Sequence, residues 1–77
     1  GLVGAQVSIP ASGSSTVATG LTTVSYAVAG LYTHDSDHGD IALSWSGGNV
    51  TITQYAVGST TVSTSVGTAT YIAVGTP

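Results

Sequence analysis

Apolar residues occupy every second position over much of this chain, and that period predicts β-strands. The clearest example flanks a glycine pair and comprises Ile41, Leu43, Trp45, Gly47, Gly48, Val50 and Ile52. Two alternating runs joined by two glycines predict a hairpin, because a tight turn needs the positive φ that glycine adopts at little cost. Counting outward from the turn gives the pairs Ser46–Asn49, Trp45–Val50, Leu43–Ile52 and Ile41–Gln54. We therefore expect the hairpin to bury one apolar face, with Trp45 as its largest side chain.

Further strands are predicted on both sides of the hairpin, at residues 5–9, 16–18, 22–32, around 62–66 and at 69–74. The longest, 22–32, is expected to point Val24, Tyr26 and Val28 to one side and small residues to the other. The last strand carries apolar residues on both faces. That pattern is typical of a central strand or of a strand that a partner covers.

These short strands, separated by turn signals, predict an all-β fold: a small antiparallel β-sandwich or partly open barrel of about six or seven strands. Residues 1–77 are expected to form a single β domain, either complete or part of, or processed from, a longer chain. The chain has no cysteine. A domain this small without disulfides commonly depends on oligomerisation or a metal, and we expect a homo-oligomer.

The amino-acid composition limits the classes of molecule that this chain is expected to bind. Charged residues make up 4% of the chain, with neither Lys nor Arg, against about 25% in ordinary soluble proteins. Phosphate binding relies on basic side chains, so we expect no nucleic-acid partner. The longest apolar run is too short to cross a bilayer, so no membrane insertion is expected. A nearly neutral surface instead favours contact with further copies of the chain.

One loop holds every acidic side chain and both histidines. These candidate metal ligands are His34, Asp35, Asp37, His38 and Asp40. Carboxylates suit Ca²⁺ and imidazoles suit Zn²⁺ or related ions, so a divalent metal is one interpretation. The other is a solvated turn in which the Asp side chains bond their own backbone, with no cofactor bound. The chain has no Glu or Lys for acid–base chemistry and no Gly-x-Ser-x-Gly motif, so we expect no enzyme.

Two tyrosines are candidate binding-surface residues. Tyr32 adjoins the acidic loop, and Tyr55 falls on the outer face of the hairpin. Exposed aromatic rings of this kind can stack on sugars, whereas packing in the core or at an interface is the commoner role of a tyrosine.

The order of features resembles small β-sandwich modules of bacteriophage tail fibres and other virion surface proteins, some of them similar to the H-type lectin fold. The resemblance covers about residues 5–75 and lies in a Val-Ser-Ile-Pro strand, a Gly/Ser turn, a long strand, a polar loop, the Trp-containing hairpin and a final Ala-Thr-Tyr-Ile-Ala-Val-Gly. It implies a symmetric module, with a trimer favoured, displayed on a particle, where glycan is a candidate contact. No sugar-binding residues of the family align with this chain.

Taken together, we expect a structural and interaction module on the virion surface or another extracellular surface, such as a phage decoration protein or fibre component. It would act by symmetric self-assembly and by contact with other virion or surface proteins. Two alternatives stay open. One is a subunit of an extracellular filament built by edge-to-edge strand pairing, and the other is a lectin-type carbohydrate-binding module.

Overall fold

The computed structural model describes residues 1–31 and 39–77 and contains six β-strands and no helix in those ranges. The strands are β1 (Leu2–Ile9), β2 (Ser14–Ala18), β3 (Thr23–Leu31), β4 (Asp40–Ser46), β5 (Asn49–Tyr55) and β6 (Gly67–Thr76). They form two antiparallel sheets, a first sheet in the order β1-β6-β3 and a second in the order β2-β5-β4. The two sheets share one apolar core. The all-β prediction is confirmed, and of the two expected architectures the structure has the small sandwich.

The β4–β5 hairpin has the predicted register at every pair, from Ser46–Asn49 at the turn to Ile41–Gln54. Its two glycines have different roles. Gly47 has a φ of 57°, as the first central position of a type II′ turn requires. Gly48 is needed for space, because a Cβ there would lie 2.1 Å from the carbonyl oxygen of Leu21. The hairpin turn therefore packs directly on the segment that connects β2 to β3.

Strand β6 is the centre of the first sheet, with β1 and β3 as its neighbours. Tyr71 and Ala73 are buried on its inner face, whereas Ile72 is 47% exposed on its outer face. This confirms the prediction of a central strand with apolar residues on both sides. Its outer apolar side chains, however, have no covering layer in the described chain.

Strand β3 departs from the expected alternation because its register shifts between Val24 and Tyr26. Such a bulge adds one residue and reverses which side chains point inward beyond it. Val24 and Ala27 are consequently buried, while Tyr26 and Val28 are 57% and 61% exposed. The prediction that all three larger residues share one face was wrong.

The core is built from short aliphatic side chains of both sheets around Tyr71. Its fully buried larger members are Ile9, Val50 and Ile52. Small residues let the sheets approach closely, as at Ala27 and Ala73, which are paired across β3 and β6 and both buried. Trp45 was expected to anchor this core but is 41% exposed. It is paired with the buried Val50 as predicted, but β4 is an edge strand and the side chain stays partly open to solvent.

The segment between β5 and β6 was expected to contain a strand around residues 62–66, and this was wrong. It makes only an isolated bridge between Tyr55 and Val62. Gln54 holds it against the sandwich. The backbone carbonyl of Gln54 accepts a hydrogen bond from the amide of Ser63 (2.9 Å), and its side-chain Nε2 donates to the carbonyl of Ser65. A fully buried glutamine therefore replaces ladder pairing as the anchor of this segment.

Candidate functional surfaces

The predicted metal ligands lie almost wholly outside the described residues. His34, Asp35, Asp37 and His38 belong to the stretch 32–38, and only Asp40 is described, exposed at the start of β4. In residues 1–31 and 39–77 no three His, Asp or Glu side chains come together as metal ligands. A metal at this loop therefore stays a prediction. Tyr32, the first of the two candidate aromatic residues, also falls outside the described ranges.

Tyr55, the second aromatic candidate, lines an open cleft of about 210 Å³ together with Asp40, Ser59 and Thr60. Tyr55 and Asp40 are register partners at the end of the hairpin. A turn with φ 65° at Gly58 brings the two hydroxyl residues up to them. The cleft thus combines a phenol, a carboxylate and two hydroxyl groups. It is smaller than the roughly 300–1,000 Å³ typical of pockets for larger organic ligands.

The outer face of the second sheet is covered with small hydroxyl side chains. The hydroxyl of Thr16 is 2.9 Å from that of Thr51, and the hydroxyl of Ser14 is 3.2 Å from that of Thr53. These cross-strand pairs stabilise the contact between β2 and β5, and within each pair one hydroxyl group is the hydrogen-bond partner of the other. The face is polar and uncharged, and it offers no unpaired buried group that would indicate a ligand.

The outer face of the first sheet is apolar over much of its surface, unlike that of the second sheet. Five apolar side chains from all three strands point away from the core there and form what we call the apolar face: Leu2, Tyr26, Val28, Ile72 and Val74. Leu2 is 74% exposed. No charged residue belongs to β1, β3 or β6. Contiguous exposed apolar side chains on a sheet are a common mark of a surface that contacts another molecule.

Half of this face is predictable from the sequence. The two-sided pattern of β6 pointed to Ile72 and Val74, but Tyr26 and Val28 were expected on the same side as Val24, which is buried. The bulge in β3 separates them from it, and nothing in the local sequence predicts that shift.

The fold and surfaces together define a small antiparallel β-sandwich with a nearly uncharged exterior. No model of a known protein family, no characterised protein and no solved structure matches the chain. The resemblance to bacteriophage surface modules therefore stays a prediction. Within the described ranges, no helix is long and apolar enough to span a membrane.

Proposed function

We propose that this domain is a structural module that acts by association rather than by chemistry, as part of a symmetric assembly on the surface of a virus particle or another extracellular structure. The observation that carries the proposal is the apolar face, where Tyr26, Val28 and Ile72 are each about half exposed or more on a sheet without charged residues. Burying such a face stabilises an assembly, whereas leaving it in water is unfavourable.

The rest of the exterior supports the same function. The second sheet presents paired hydroxyl groups, and the chain contains neither Lys nor Arg. A surface with so few charges does little to keep copies apart in solution. The absence of Lys and Arg also removes every site for trypsin-like proteases, which suits display outside a cell. These features support the extracellular or virion location and the non-enzymatic role that the sequence led us to expect.

The mass of the protein in solution tests this function. We expect light scattering of the purified protein at micromolar concentration to give a discrete multiple of the 7.5 kDa chain. A mass that keeps rising as the protein concentration is raised would favour the extracellular filament. A monomer at every concentration up to millimolar would contradict assembly by this domain altogether.

The cleft at Tyr55 favours a second candidate, the binding of carbohydrate. An aromatic ring beside a carboxylate and hydroxyl groups supplies one apolar surface and several hydrogen-bonding groups, which suits a sugar ring. On a glycan array, the wild type would bind a defined glycan and Tyr55→Ala would lose it. Ser44→Ala, at an exposed residue of β4 outside both the cleft and the apolar face, is the control and would keep binding. Equal binding by wild type and Tyr55→Ala would exclude this cleft as the sugar site.

A further inference from the structure

The arrangement of the apolar face allows the partner to be specified. Side chains of the first sheet lie in rows across its three strands. Leu2, Val74 and Tyr26 form one row, and Ile72 and Val28 lie in the next. The following row contains Gln6, Thr70 and Gly30. The apolar side chains therefore lie in two adjacent rows, next to a row that has none.

We propose that the apolar face packs against the same face of a second copy, around a two-fold axis that lies in the interface. This inference rests on the proposed function and names the surface and the partner of the assembly. The apolar side chains of one copy, among them Ile72 and Val28, then lie against the same set of side chains of the second copy.

The area available is consistent with a second copy as the occupant. A stable interface removes about 800 Å² from each partner, which is roughly one fifth of the 4117 Å² surface of the chain. A two-layered sandwich has two large outer faces, so one whole face supplies an area of this order. A partner of opposite charge has nothing to recognise on this sheet, because β1, β3 and β6 carry no charged side chain.

A pair of variants tests the inference by the dimer dissociation constant, measured by analytical ultracentrifugation. Val28→Lys places a charge on the apolar face and should raise the constant at least about tenfold, because the ammonium group must be desolvated without a partner. Ser44→Lys is the matched control, since Ser44 is also exposed on an edge strand but lies on the second sheet. It should leave the constant within about twofold. Circular dichroism confirms that both variants fold.

The outcomes separate this inference from the proposed function. A wild-type mass of two chains, with dimerisation weakened by Val28→Lys and unaffected by Ser44→Lys, supports the inference. An assembly of three chains, or one that survives Val28→Lys, overturns the two-fold pairing and leaves self-assembly standing. A monomeric wild type overturns both the inference and the proposed function.

Discussion

At the scale of single residues, Gln54 shows how one polar side chain can organise a segment without secondary structure. It is fully buried, its backbone amide donates to the carbonyl of Gly13 (2.8 Å), and its Nε2 donates to Ser65. Its Oε1 has no hydrogen-bond donor among the described residues. The glutamine thus links β5 to the turn before β2 and to the segment before β6.

Replacing Gln54 with alanine should lower the free energy of unfolding by roughly 2–4 kcal/mol, because the change leaves a cavity and removes a buried hydrogen bond. The measurement is urea unfolding followed by the fluorescence of Trp45, the single tryptophan of the chain. Gln6→Ala is the matched control, since Gln6 is the other glutamine and is exposed on β1. Its unfolding free energy should stay within about 0.5 kcal/mol of the wild type. Equal effects of both variants would contradict the anchoring role of Gln54.

At the scale of strands and sheets, the close approach of the two layers depends on alanines. Ala69 and Ala73 of β6 have no exposed surface, and Ala27 of β3 is 9% exposed. Larger side chains at these positions would separate the sheets, because cores are packed at nearly crystalline density. The small face of β3, which the sequence already indicated, is therefore the face that packs on the second sheet.

Ala73→Val should lower the free energy of unfolding by roughly 1–3 kcal/mol, because the extra methyl groups have no space between the sheets. Ala42→Val makes the same change on the exposed outer side of β4 and should be neutral or slightly stabilising, since valine favours strands. Urea unfolding of the two variants side by side measures the difference. A stable Ala73→Val protein with unchanged unfolding would show that the layers are less tightly packed than the structure indicates.

At the scale of the whole molecule, stability comes from apolar burial and hydrogen bonds, with little contribution from ion pairs. The chain has no Lys or Arg, and the three Asp residues are confined to residues 35–40. The amino terminus donates a hydrogen bond to the carbonyl of Gly75 rather than to a carboxylate. A protein of this kind should respond to salts through hydration of its surface and hardly at all through screening of attractive charges.

We therefore expect the melting temperature at pH 8 to stay within about 3 °C between 50 mM and 500 mM NaCl, a change below about 1 kcal/mol for a domain of this size. Sodium sulfate at matched ionic strength should raise the melting temperature, because it strengthens the burial of apolar surface. Differential scanning calorimetry measures both. A marked loss of stability in NaCl would reveal ion pairs that contribute to the fold.

The sequence by itself determined those features that depend on neighbouring residues. The hairpin register from Trp45–Val50 to Ile41–Gln54 followed from the turn and the alternation, because a slip by one residue would turn every apolar side chain outward. The two-sided pattern of β6 marked it as a central strand for the same local reason. The near absence of charge is equally plain in the amino-acid composition, and it favours association whatever the fold.

Only the tertiary structure decided which faces are covered and which are left open. The bulge in β3 exposes Tyr26 and Val28, and the edge position of β4 leaves Trp45 partly in solvent. The segment around Val62 makes one isolated bridge and hydrogen bonds to buried Gln54 in place of the expected strand. Each outcome depends on contacts between residues far apart in the chain, and local alternation carries no information about them. Which residues form the apolar face depends on such long-range contacts as well. The sequence therefore predicted Ile72 and Val74 of β6, but not Tyr26 and Val28 of β3.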